Sequence, residues 1–337
     1  MNLSFKDYQL TFEYPFGISS YTRTTHDVVL VNIEYLGEIG TGEASMAKYL
    51  GETKDSVKRF LSKVKLAQFK APLNILSIHE YIDNIAPGNT AAKTAIDIAL
   101  HDLKGKIEQK PCYQFYNVNP AQMPVTSLTL GIDELEVIRK KVKGAGAFKA
   151  IKVKLGSAYD KEIIKTIREE TTAPLYIDAN QGWKDKKEAL DMIFWLKEQG
   201  TVFIEQPMDR EDYDSNGWLT AHSPLPIIAD EAMQRLSDLE KLKDLYTGIN
   251  IKLMKCTGMY EAHQIISRAR ELGLKIMVGC MSETSCAIMA AASLAPLCDW
   301  ADLDSPWLIN NNPFKNPILE DGKIKLTDSY GLGLEKL

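Results

Sequence analysis

From about residue 124 the chain alternates between short apolar runs and longer stretches in which apolar positions recur every three or four residues. The short runs are PVTSLTLG (124–131), AIKVKLG (150–156), LYIDAN (175–180), VFIEQP (202–207), PIIADE (226–231), INIKLM (249–254), KIMVGCM (275–281) and WADLDS (300–305). Near-continuous apolar runs of this length predict strands buried on both faces. The intervening segments, such as DELEVIRKKVK, KKEALDMIFWLKEQ and YEAHQIISRARELG, have the spacing of amphipathic helices. Eight strands alternating with helices predict an α/β fold, a parallel TIM-type barrel. A doubly wound open sheet is the alternative, but no glycine-rich dinucleotide turn follows the first strand.

The first 115 or so residues do not keep this rhythm. SFKDYQLTF and HDVVLVNIEYLG predict strands joined by a loop, and TAAKTAIDIALHDLKGK predicts a helix. The polar segment FGISSYTRTT (16–25) is expected to be a loop able to cover a site. Three units follow: an N-terminal α+β domain over 1–118, a barrel over 119–305, and a tail over 306–337 that returns toward the first unit.

Composition narrows the picture. The 337 residues carry a net charge of -5, with no basic stripe of the kind that grips nucleic acid. No apolar run is long enough to span a membrane, and the N-terminus lacks a signal-peptide core, so a cytoplasmic protein is expected. The five cysteines are odd in number and form no CxxC pair, which predicts buried thiols rather than a disulfide framework or a zinc site.

The candidate chemistry lies at the carboxyl ends of the predicted barrel strands, where barrels of this kind carry their active sites. The second has Lys152 and Lys154, the third Asp178 and Asn180, the fourth Glu205, the fifth Asp230, the sixth Lys252, and the eighth Asp302 and Asp304. Taken singly, each has an ordinary explanation, since acids cap helices and lysines reach solvent. Their gathering at one end of one barrel does not. Three acids on consecutive strands suit a hard cation such as magnesium, and no histidine or cysteine set points to zinc. Strands two and six are opposite in a ring of eight, so Lys154 and Lys252 should face each other across a substrate. A free lysine is a poor base at neutral pH, but a neighbouring cation lowers its pKa. Lys152 is such a neighbour for Lys154. Lys255 is read as structural, Glu231 as pointing away from the metal, and Glu283 as either near the pocket or on the surface.

These features resemble the enolase superfamily in its muconate-lactonising-enzyme subgroup. The resemblance rests on KxK at 152–154, DAN at 178–180, EQP at 205–207, ADE at 229–231, IKLMK at 251–255 and AIDIALHDLKGK near the N-terminus. It implies a modified (β/α)7β barrel with an N-terminal capping domain completed by the tail. It also implies one Mg2+ per site on Asp178, Glu205 and Asp230, with lysine bases. The DxD at 302–304 and the segment GCMSET resemble those of dipeptide epimerases. There Asp302 and Asp304 would hold the substrate ammonium, Lys152 its carboxylate, and Arg23 the side chain of a C-terminal glutamate. Thr129 and Asn180 complete the expected substrate-binding set. The implied reaction is 1,1-proton transfer on a dipeptide, with Lys154 acting on the L epimer and Lys252 on the D epimer. o-Succinylbenzoate synthases and cycloisomerases share the lysines and metal site, and a Schiff-base aldolase is the reading from a different class. The expected partner is a small dipeptide, with no nucleic acid and no membrane; a homo-oligomer is compatible with the pattern.

Overall fold

The computed structural model describes all residues except Ser19 and Ser20. The first three strands, β1 (Asn2–Ile18), β2 (Tyr21–Tyr35) and β3 (Glu38–Ser45), form an antiparallel meander in that order. Helices α1 (Lys54–Leu61), α2 (Ile75–Asp83) and α3 (Thr90–Ile107) follow. The segment expected to be a polar loop is instead a hairpin, with Phe16 paired to Arg23 and Gly17 to Thr22 in the β1–β2 ladder. Main-chain pairing there outweighs the weak strand preference of glycine. Ser19 and Ser20 lie outside the described residues.

β3 has no apolar alternation because backbone, rather than side chains, packs it. A Cβ on Gly42 would stand 1.9 Å from the carbonyl oxygen of Ala95, and one on Gly40 would stand 2.0 Å from that of Ala99. Only glycine lets β3 lie this close to α3, whose facing positions are themselves alanines.

The barrel then runs β4 (Ser127–Leu130), α4 (Leu135–Lys143), β5 (Ala150–Lys154), α5 (Asp160–Glu170), β6 (Leu175–Asp178), α6 (Lys186–Glu198), β7 (Thr201–Glu205) and α7 (Tyr213–His222). It continues β8 (Ile227–Ala229), α8 (Leu239–Leu242), β9 (Gly248–Ile251), α9 (Met259–Glu271), β10 (Lys275–Gly279), α10 (Ser285–Ala292) and β11 (Trp300–Asp302). The eight strands pair in parallel and in chain order. A parallel bridge between Thr126 and Ala301 brings the first and last together, and the Thr126 hydroxyl accepts from Leu303 N at 2.8 Å. This is the expected (β/α)7β barrel with its cap. Inside, Ala150, Tyr176, Phe203, Ile228 and Met277 form an apolar floor, with the Tyr176 and Phe203 rings stacked at 4.6 Å. The next inward positions along the same strands, two residues on, are Lys152, Asp178, Glu205, Asp230 and Gly279.

The tail begins with a short helix, α11 (Ser305–Leu308), and packs back on the cap. Ile309 bridges Phe12, and the buried carboxylate of Asp102 on α3 accepts from Leu332 N at 2.9 Å and Thr41 N at 2.8 Å. Among the described residues no helix is long and apolar enough to cross a membrane. Four cysteines are buried and Cys280 is half-buried, all as free thiols.

Glu43 joins cap to barrel. From β3 it accepts hydrogen bonds from Thr284 N at 2.9 Å, from the Thr284 hydroxyl and from Ala287 N at 3.4 Å, at the start of α10. Burial pushes its pKa up to about 7 in spite of these bonds. Glu283, which accepts from Met281 N at 2.9 Å, is pushed up to about 8 by burial and then by Glu43. Glu283 is not on the surface; it is a core acid at this joint, buried behind the cavity-lining Met281 and Ser282. Because both folded-state values lie above the ordinary 4.5, both acids favour folding most below that pH, and the benefit is lost as pH rises through 7 and 8. The thermal midpoint should therefore fall between about pH 4.5 and pH 8. Glu283→Gln keeps an acceptor for Met281 and should flatten that fall; an unaltered slope, read by calorimetry, would contradict the assignment.

Candidate active site

A cavity of about 460 Å³ opens at the carboxyl ends of the barrel strands, beneath the β1–β2 hairpin of the cap. All eleven residues expected to form the site are found at or beneath this cavity. Asp178, Glu205 and Asp230 are fully buried, and one carboxylate oxygen from each lies within 4.8 Å of the others. Two of their supports, Asn180 and Gln206, come from just past strand ends, and the third, Asn250, from within β9. Asn180 N donates to Asp178 Oδ1 at 2.9 Å, Asn250 Nδ2 to Glu205 Oε1 at 2.7 Å, and Gln206 Oε1 accepts from Asp230 N at 3.0 Å. Gly279 is needed opposite Asn250, because a Cβ there would stand 2.7 Å from Asn250 Oδ1.

Three carboxylates this close are an all-oxygen donor set for a hard dication, which carboxylates and water hold in preference to softer metals. The electrostatics agree. Burial and then the charge of Asp178 push Glu205 up to about 8, so its ionised form needs a cation beside it. Burial also favours neutral Asp178 and Asp230, but the lysines outweigh it. Lys154 and Lys152 hold Asp178 below its usual value, and Lys252 and Lys255 hold Asp230 well below.

Around the ring, β5 carries Lys154, β6 Asp178 and β7 Glu205, while Asp230 follows β8 and Lys252 follows β9. The Lys154 amine bonds Asp178 Oδ2, and the Lys252 amine stands 2.6 Å from Asp230 Oδ2. The two lysines thus bracket the acids from either side. Lys152 lies one layer deeper, with its amine 2.7 Å from Glu205 Oε2, 2.7 Å from Asp302 Oδ2 and 3.2 Å from Asp178 Oδ2. An apolar strand tolerates these two lysines because each amine is met by carboxylate. Burial opposes the charge on Lys252, but Asp230 prevails and holds its pKa well above the ordinary value; the same contest leaves Lys152 high. A divalent cation held by these acids would compete for the same negative charge and would lower the values of Lys252 and Lys152.

On the opposite wall, Asp302 Oδ1 accepts from the hydroxyls of Ser127 at 2.8 Å and Thr129 at 3.2 Å, while Asp304 Oδ2 accepts from Thr129 N. Asp302 is held low by Lys152 against the effect of burial, whereas burial and the charge of Asp302 push Asp304 up to about 7. Arg23 reaches the cavity from β2, its guanidinium donating to His26 Nδ1 at 2.8 Å and to Ser282 Oγ at 2.7 Å.

One expectation needs correction. Glu231 does not point away; it lines the cavity and accepts from Asn180 Nδ2 at 3.3 Å. β8 ends at Ala229, so strand alternation no longer governs residue 231. Lys255, read as structural, is past the end of β9 and braces a carboxylate of the triad, its amine meeting Asp230 Oδ1 and Asp230 O, both at 2.7 Å. Gln206, Asn250, His26 and Ser282 were not anticipated. Asn250, two residues before Lys252 on a buried strand, had a legible signal, being a polar residue of the same parity.

The fold and site together define a capped barrel enzyme built for metal-assisted proton transfer beside a carboxylate. Residues 3–116 match the N-terminal domain of the mandelate racemase / muconate lactonizing enzyme family, and residues 134–336 match the enolase C-terminal domain-like family. The chain belongs to the enolase superfamily, in the mandelate racemase and muconate lactonizing enzyme branch. It is 52% identical to an L-Ala-D/L-Glu epimerase of Bacteroides thetaiotaomicron, across 100% of this chain and 88% of that protein. Its structure is similar to that of a dipeptide epimerase of Enterococcus faecalis in complex with Mg and L-Leu-L-Tyr, with a TM-score of 0.91, 32% identity, and 99% and 98% of the two chains covered. It is also similar to an N-succinyl Arg/Lys racemase of Bacillus cereus, with a TM-score of 0.92, 27% identity, and 99% and 95% covered.

Proposed function

We propose that this chain is a magnesium-dependent dipeptide epimerase that inverts the α-carbon of the C-terminal residue, with L-Ala-D/L-Glu as its substrate. The observation that carries the reading is the bracketing of one acid triad by Lys154 and Lys252, with the Asp302–Asp304 pair across the same cavity. Asp178, Glu205 and Asp230 hold the ion. Bound there, magnesium supplies positive charge where the substrate carboxylate gains negative charge as its α-proton leaves. Lys154, on one side, takes the proton from the L epimer. Lys252, protonated on the other side, delivers one to the opposite face, and the roles reverse for the D epimer. Lys152 supports the charge that collects on the carboxylate. Asp302 and Asp304, with Thr129 fixing their orientation, receive the ammonium of the first residue through charge-assisted hydrogen bonds. Asn180 and Arg23 complete the substrate contacts, Arg23 meeting the glutamate side chain.

The ammonium is what separates this reading from chemistry on N-acylated amino acids, which the similarity to a succinyl-amino-acid racemase brings into play. Asp304→Asn keeps an acceptor for Thr129 and removes one negative charge. Its KM for L-Ala-L-Glu should rise about 10- to 100-fold, the range expected for losing a hydrogen bond to a charged group. The unaltered enzyme should leave N-acetyl-L-Ala-L-Glu and N-succinyl amino acids almost untouched. Turnover of those compounds at rates equal to the free dipeptide, followed by polarimetry, would overturn the assignment of the DxD pair.

A further inference from the structure

Arg23 is not an independent side chain. Its NH1 donates to His26 Nδ1 at 2.8 Å and its NH2 to Ser282 Oγ at 2.7 Å. His26 Nε2 stands 2.8 Å from Ser45 Oγ, and Ser45 Oγ donates to the carbonyl oxygen of Ser282 at 2.7 Å. The bonds form a closed ring. Their directions follow from chemistry alone: a guanidinium only donates, so His26 Nδ1 carries a lone pair. His26 Nε2 therefore bears the hydrogen and donates to Ser45, whose own hydrogen goes to Ser282 O. Burial, and then the charge of Arg23, push the His26 pKa down to about 3, which keeps the imidazole neutral. The Phe12 and Phe16 rings lie 5.4 Å and 6.0 Å from the guanidinium carbon, a distance at which an aromatic face attracts a cation.

The ring draws on three elements. Arg23 and His26 lie on β2, Ser45 ends β3, and Ser282 follows β10 of the barrel. It closes only when cap and barrel are seated together. We propose that His26 is a positioning residue for substrate specificity, holding the Arg23 guanidinium over the cavity so that it selects a C-terminal residue with an acidic side chain. This rests on the dipeptide-epimerase reading above and adds to it a residue that acts through Arg23 from the cavity wall. Without the His26 strut the guanidinium loses one of its anchors, and its preference for an anion weakens.

The test compares His26→Leu, His26→Asn and Arg23→Gln with the unaltered enzyme, using L-Ala-L-Glu and L-Ala-L-Met. The unaltered enzyme should prefer the acidic dipeptide in kcat/KM. In His26→Leu that preference should fall about tenfold, the size of one hydrogen bond to a charged group, and the loss should lie in KM for L-Ala-L-Glu. His26→Asn, whose carbonyl oxygen can replace Nδ1 as acceptor, should recover part of it. Arg23→Gln should remove the preference altogether. Thermal midpoints identify any variant that fails to fold, and His26→Asn then decides. An unchanged preference in His26→Leu, with Arg23→Gln impaired, would overturn the positioning role alone. An unchanged preference in Arg23→Gln would overturn it together with the acidic side chain, and no turnover of either dipeptide would overturn the epimerase reading beneath both.

Discussion

Replacing Glu205 by glutamine is expected to give a folded protein that neither binds magnesium tightly nor epimerises a dipeptide. Glutamine fills the same space and keeps an acceptor for Asn250 Nδ2, now at 2.7 Å from Glu205 Oε1. What it removes is one of three charges in a buried site. Metal-assisted stabilisation of the developing anion is a matter of several kcal/mol, so activity should fall about 1000-fold or more. Folding should not suffer in the same way, because Glu205 is an acid pushed up to about 8 by burial and by Asp178, and its ionised form is costly without a cation. The distinguishing measurement is the thermal midpoint with and without magnesium. The unaltered protein should gain stability as magnesium is added, in proportion to the logarithm of its concentration above Kd, and Glu205→Gln should gain little. EDTA should abolish turnover and magnesium restore it. Full activity in EDTA would rule out the triad as a catalytic metal site and would favour carbonyl chemistry on a lysine.

The second large effect concerns the lysines. Lys154→Ala and Lys252→Ala should each lower epimerisation by about 1000-fold, within the range attributed to a positioned acid or base. The argument is geometric. Each amine touches a different member of the triad, Lys154 at Asp178 and Lys252 at Asp230, so neither can replace the other from its own side. Lys152, held by three carboxylates beneath them, is not free to move up and substitute. Lys255 sits against Asp230 and the Asn250 carbonyl oxygen, and Lys255→Met should act by loosening Asp230 rather than by removing a base.

The barrel and its acids were readable because charge on an apolar run is conspicuous. Asp178, Glu205, Asp230 and Asp302 each interrupt a run that would otherwise be buried throughout, and parallel strands are apolar on both faces. Alternation by two then placed Lys152 and Lys154 on one side, as found. Reading failed where the backbone leaves the strand. Glu231 lies in a turn past β8, and Gln206, with a φ of 37°, sits in a left-handed conformation that periodicity does not foresee. β3 was missed for another reason: its contact with α3 is made by glycine, which leaves no apolar signature. The 16–25 hairpin was taken for a loop because its strand character depends on pairing with itself, not on burial. Glu283 leaves a surface place open in the sequence because a charged residue after a strand usually faces solvent; in the fold it is buried.

The account stands on two bases working from opposite faces of one carbon, and isotope exchange reads this directly. Each pure epimer of Ala-Glu would be incubated in deuterium oxide with Lys154→Ala or Lys252→Ala, and loss of the α-hydrogen followed by proton NMR. The account predicts that neither variant inverts the centre, that Lys252→Ala exchanges the α-hydrogen of the L epimer only, and that Lys154→Ala exchanges that of the D epimer only. Inversion by both variants, or exchange of both epimers by either one, would contradict it.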